Sequence, residues 1–261
     1  MRRSCFGLFV LFALLTAATN AFADGIHLRW DACLGDAGVS NKNFACNTNS
    51  GSEYLYVSYV SSQPIADVTG VEVAVHLHSV AATMPSWWSS FTPSSCRPTA
   101  FSLAFTEGAQ SATCQNTFAG NAAGGLAAYT DPAPGATNYK QLLFVLATGT
   151  PFTVQAGTEY FAGRIAVSHV KTVGTGSCSG CNEPVCIGLN VVDLTRSPTP
   201  RVHLTDESFP GSSYVSWQNA VPSGYVEPVS NHNPYPYRTV GCSLPIPARN
   251  STWGTIKSQY H

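Results

Sequence analysis

The stretch VTGVEVAVHLHSV, Val68 to Val80, decides the fold class. Val71, Val73, Val75 and Leu77 recur at every second position, with Glu72, Ala74, His76 and His78 between them. Successive side chains of a strand point to opposite faces, so the run has one apolar face and one mixed face, as a half-buried strand does. Similar runs extend outward in both directions. They include YLYVSYV at Tyr54–Val60, TAFSLAF at Thr99–Phe105, EYFAGRIAVSHV at Glu159–Val170 and PVCIGLNVVDL at Pro184–Leu194. QLLFVLAT at Gln141–Thr148 is apolar on both faces and predicts a central strand. LAAY at Leu126–Tyr129, TPFTVQAG and RVHL at Arg201–Leu204 are weaker segments. Gly, Pro and Asn punctuate them, and neither a helical crossover between strands nor a repeat of fixed period is seen. The expectation is an all-β, antiparallel two-sheet sandwich with an immunoglobulin-like, cohesin-like or jelly-roll topology.

The run Val68–Leu77, with its pattern V-x-G-V-E-V-x-V-x-L, resembles strands of secreted bacterial sandwiches of the cohesin-like and carbohydrate-binding kind. The resemblance covers about ten residues, implies a sandwich, and carries over no functional residue.

The N-terminus sets the compartment. Arg2 and Arg3 precede an apolar run from Cys5 to Leu15, and a weakly polar stretch ends in Ala21-Phe22-Ala23. This is the pattern of a cleavable signal peptide over residues 1–23, with cleavage before Asp24. The apolar core of about eleven residues is short of the roughly 20 needed to span a bilayer. The mature chain is expected to carry no membrane span and to be secreted, periplasmic or at the cell surface. Only 10% of the 261 residues are charged. Without Arg2 and Arg3 the 14 acids exceed the basic residues by about three. No basic block marks a nucleic-acid partner.

Residues 24–196 are predicted as the sandwich and 197–261 as an extended, proline-rich tail packed on it. NHNPYPYR, Asn231–Arg238, alternates turn residues with tyrosines and cannot form a regular central strand. Near residues 252–260 a short terminal helix is predicted, since Trp253, Ile256 and Tyr260 would share one helical face.

Beyond Cys5 there are eight cysteines: Cys33, Cys46, Cys96, Cys114, Cys178, Cys181, Cys186 and Cys242. An even count in an exported chain predicts four disulfides. Short spacing suggests Cys33–Cys46 and Cys96–Cys114 as local pairs. One cysteine of CSGCNEPVC, Cys178–Cys186, must then reach Cys242, while the other two pair locally. Cys178 or Cys181 is the expected long-range partner, because Cys186 already lies within a strand pattern. C-x-x-C spacing also suits zinc or a redox centre, but export favours oxidation, and a strand rather than a helix follows.

Chemistry elsewhere is sparse. His76 and His78 share a strand face and would ligate a metal if His169 or His203 supplied a third nitrogen. Asp31, Asp36, Asn41, Asn43 and Asn47 crowd the first cysteine loop, and such oxygen-rich loops can hold a structural calcium. Gly-x-Ser-x-Gly, His-Glu-x-x-His and a phosphate loop are all missing. MPSWWSSF puts Trp87 and Trp88 in a loop, where an exposed indole would stack on a sugar ring, with Tyr235 and Tyr237 as further aromatic candidates. The leading expectation is an exported, non-enzymatic sandwich that meets an extracellular protein or glycan. A carbohydrate-binding module is the second reading, and a secreted hydrolase or metal-dependent enzyme the third.

Overall fold

The computed structural model describes residues 24–130, 137–226 and 239–244. The strands are β1 (Gly25–Trp30), β2 (Asn41–Lys42), β3 (Ser52–Val60), β4 (Ile65–Ser79), β5 (Phe101–Ala104), β6 (Gln115–Asn116) and β7 (Ala123–Thr130). They continue with β8 (Tyr139–Val154), β9 (Tyr160–Ser168), β10 (Val185–Arg196), β11 (Val202–Leu204), β12 (Tyr214–Trp217), β13 (Val221–Val226) and β14 (Thr239–Ser243). One sheet runs β1-β3-β9-β5, with β6 also on β9. The other runs β2-β12-β10-β4-β8-β7, with β11 also on β10. A separate ribbon pairs β13 with β14 and lies against β4 and β10.

The alternation read from Val68–Val80 orders the core. Val71, Val73, Val75 and Leu77 of β4 are buried, as are Leu142, Phe144 and Leu146 of β8. They meet Ile26 and Leu28 of β1, Leu55 and Val57 of β3, and Ile165 and Val167 of β9 in one apolar cluster between the sheets. Two bulges correct faces that strict alternation would misplace. At Leu189/Val191 the register of β10 shifts, so Val192 and Leu194 turn inward opposite Val73 and Val71, while Asp193 pairs with Glu72. At Val57/Ser58 a shift against β9 turns Phe161 outward, away from the face of Ile165. Gly163 stays bare because a Cβ there would meet Phe144 Cζ of the opposite sheet at 3.2 Å.

The helical part of the expected architecture needs correction. Among the described residues there is no α-helix, only 3-10 turns at Leu34–Asp36 and Ser86–Trp88. The terminal helix expected near 252–260 lies outside the described residues. What the chain forms is an all-β, two-sheet, disulfide-linked architecture. β11 and β12, from the proline-rich part of the sequence, pair directly with β10.

Candidate functional site

All eight cysteines beyond Cys5 are paired, but not as spacing suggested. The bridges are Cys33–Cys114, Cys46–Cys181, Cys96–Cys178 and Cys186–Cys242. Both expected local pairs are therefore corrected, and the reason lies in β9. β5 pairs from Val167 back to Arg164, and β6 pairs at Tyr160 and Phe161. Cys96 and Cys114 thus sit towards opposite ends of a strand about 25 Å long, far beyond the roughly 5.5 Å between bonded Cα atoms. The first loop separates its cysteines in the same way. Its 3-10 turn folds back over β3 and β9, where the Leu34 and Gly35 amides donate to Glu159. Its second half joins β12 through β2 and brings Cys46 to Cys181. Cys186, not Cys178 or Cys181, takes the bridge to Cys242. Val185 and Ile187 point into the core, so Cys186 faces the other side, where β14 brings Cys242.

Trp87 and Trp88 are both fully buried, which corrects the expectation of an exposed indole. They lie in the 3-10 turn Ser86–Trp88, where neighbouring side chains diverge by about 120° instead of the 180° of a strand, so both enter the core. Trp87 stacks on Trp217 at 5.3 Å, Trp88 meets Trp217 edge-on at 5.5 Å, and Trp30 lies 5.8 Å from Trp217. Trp217 Nε1 donates to the Cys181 carbonyl at 2.7 Å, and Trp87 Nε1 to Thr172 Oγ1 at 2.9 Å. Arg97 closes this end, with its guanidinium 3.7 Å from the Trp87 ring centre and hydrogen bonds to the Trp87 and Ser168 carbonyls. Burial lowers its pKa to about 10, against the opposing pull of Tyr129. Tyr235 and Tyr237 lie outside the described residues.

The histidines are not brought together. His76 and His78 sit on the outer side of β4, in the seven-stranded sheet, where His78 stacks on Tyr139 at 3.8 Å and accepts from Asn138 Nδ2 at 3.2 Å. His169 follows β9 in the other sheet. It stacks on Phe44 at 3.8 Å and reaches the Ser50 carbonyl and Glu53 Oε1. His203 faces Asp193, at 3.4 Å. Among the described residues no group of three or more His, Cys, Asp or Glu is placed to hold a metal ion.

The side-chain oxygens of Asp31, Asp36 and Asn41 in the first loop are also committed elsewhere. Lys42 Nζ lies 2.8 Å from each Asp31 oxygen and 2.8 Å from Glu53 Oε2, so an ammonium already fills that acidic corner. Asp36 accepts from the Thr113 amide, and Asn41 Oδ1 from Ser216 Oγ and the Asn219 amide. Asn43 donates to Asn219 Oδ1.

One constellation went unread in the sequence because its members are far apart along the chain. His27 Nε2 lies 2.8 Å from Ser208 Oγ, and His27 Nδ1 lies 3.5 Å from Glu159 Oε1. The order hydroxyl, imidazole, carboxylate is that of a nucleophile triad. Its environment is that of a strut. Glu159 accepts from Ser58 Oγ at 2.5 Å and from the Leu34 and Gly35 amides. Burial would raise its pKa, but bonds from His27, Ser58 and the Gly35 amide hold it below the usual glutamate value. His27 is buried, and Gly25 abuts Ser208 so closely that a Cβ would lie 1.9 Å from Ser208 Oγ. The network fastens β1 to the segment around Ser208, where the Ile26 amide donates to the Asp206 carbonyl.

No protein-family model and no curated protein matches the chain. Fold and bridges define the class as a disulfide-linked β-sandwich. No helix among the described residues is long and apolar enough to cross a membrane.

Proposed function

We propose that this chain is an exported, non-enzymatic sandwich that acts through its surface, in contact with a glycan or protein outside the cytoplasm. One observation carries the reading. The polar groups with the composition of a catalytic site, Glu159 with His27 and Ser208, and Glu53 with Lys42 and His169, are built into networks that fasten loops to the sheets. Four long-range bridges support an oxidising destination for the chain. In this reading residues 1–23 are a leader and 24–196 supply most of the sandwich, which β11 and β12 complete. Expression with the native N-terminus, followed by intact mass and thiol titration of the exported fraction, tests it. The expected product starts at Asp24, has no free thiol, and turns over no substrate in a broad esterase, peptidase and glycosidase screen. Turnover abolished by His27→Ala would overturn the non-enzymatic reading, and free thiols in the exported product would overturn the rest.

A further inference from the structure

We infer that Tyr54 and Arg164, on the outer face of the five-stranded sheet, form a binding platform for a uronate-bearing glycan. The inference rests on the surface role proposed above and gives it a ligand class.

Arg164 lies on β9 and pairs in register with Tyr56 of β3 on one side and Ala104 of β5 on the other. On the next rung, Tyr54 pairs with Ala166, which pairs with Ser102. Inward-pointing Leu55, Ile165 and Leu103 separate these rungs, so the residues named share the outer face. The Arg164 guanidinium sits 4.7 Å from the Tyr54 ring centre and 6.0 Å from that of Tyr56. Tyr54 is nonetheless 39% exposed.

Arg164 differs from Lys42, Arg201, Arg29 and Arg97 in what balances it. Lys42 is paired with Asp31 and Glu53, and Arg201 with Glu72 and Asp193. Arg29 and Arg97 are buried against carbonyls. Arg164 has two tyrosine rings and, among the described residues, no carboxylate partner. Asp31, whose amide donates to the Tyr54 carbonyl at 2.8 Å, gives its own carboxylate to Lys42. The rings hold the guanidinium fork in place, so binding costs it little further rotamer freedom. Such a fork matches a carboxylate through two parallel hydrogen bonds.

Beside the charge, the Tyr54 rung carries small side chains. Ala166 is small, Ser102 is exposed, and the Tyr54 ring presents a stacking surface, while the cluster of Cys33, Tyr56, Cys114 and Phe161, with Ala104 packed against it, bounds the platform on the other side. A pyranose ring with a carboxylate at its edge satisfies both elements, whereas an acidic side chain supplies the carboxylate without a ring face to lie on Tyr54.

Affinity electrophoresis through polygalacturonate, with the oxidised, thiol-free protein, tests the platform. Retardation is expected. It should fall more than tenfold in Arg164→Gln and in Tyr54→Ala, weaken with salt, and vanish on the fully methyl-esterified polymer. Near-ultraviolet circular dichroism establishes that each variant is folded. Absence of retardation, unchanged retardation in folded Arg164→Gln, or equal binding to poly-glutamate would each overturn the assignment, the last in favour of an acidic peptide. Because the protein is oxidised beforehand, a negative result refutes the platform and leaves the export reading intact.

Discussion

Replacing Cys46 and Cys181 by alanine removes the bridge with the longest sequence separation, 135 residues. A loop of that length, closed alone, stabilises by about 5 kcal/mol in the chain-entropy model. The loop is not closed alone. From Cys46 the chain runs back to Cys33, crosses to Cys114, runs back to Cys96, crosses to Cys178 and ends at Cys181. The smallest ring that the bridge closes therefore holds about 37 residues, which lowers the contribution to about 4 kcal/mol. At roughly 2–4 °C per kcal/mol for a domain of this size, the melting temperature should fall by about 8–16 °C. Urea denaturation of the oxidised double variant measures the loss, and peptide mapping verifies that the other bridges stay intact. A loss below about 1 kcal/mol with those bridges in place would refute the nested-ring reasoning.

Other perturbations separate core, strut and ribbon. Trp217→Ala should cost about 3–5 kcal/mol in denaturant, because Trp217 touches Trp30, Trp87 and Trp88 at the buried end of the sandwich. Since the Glu159 carboxylate is held below its ordinary value, its contribution is present above the unfolded pKa and lost as pH falls through the folded one. Melting curves between pH 7 and pH 3 should therefore decline less steeply in Glu159→Gln than in the wild type. If the two decline in parallel, the strut does not work through that carboxylate. Opening Cys186–Cys242 by double alanine substitution should speed hydrogen exchange in β13 and β14 while exchange in β3 and β9 stays slow, because only this bridge ties the ribbon to the sheet. Uniformly faster exchange would show instead that the ribbon is part of the cooperative core.

What the sequence made legible follows from the range of its signals. Alternation over Val71–Leu77 is local, and it placed β4 and the two-sheet class correctly. Bulges at Leu189/Val191 and Val57/Ser58 are answers to cross-strand packing, so Asp193 and Phe161 could not be assigned to a face from spacing alone. Cysteine parity indicated four bridges, but pairing depends on where β5, β6 and β2 deliver the chain. Short sequence spacing misled because Cys96 and Cys114 flank a segment running along the length of β9. One clue was available for the bridge to Cys242: Val185 and Ile187 flank Cys186 with strand periodicity, which puts its sulfur on the outer face. Trp87 and Trp88 misled through the assumption of an extended chain, since a 3-10 turn buries both. The contacts joining His27, Glu159 and Ser208 span more than 100 residues and leave no trace in local spacing. Arg164 and Tyr54 became a candidate pair only when the register of β3 with β9 was in hand.

Non-reducing peptide mapping of the oxidised protein, digested at low pH to prevent thiol exchange, reads the four bridges directly. Linked peptides are expected for Cys33–Cys114, Cys46–Cys181, Cys96–Cys178 and Cys186–Cys242, with no free thiol. Local Cys33–Cys46 and Cys96–Cys114 pairs, or reduced cysteines throughout CSGCNEPVC, would contradict it.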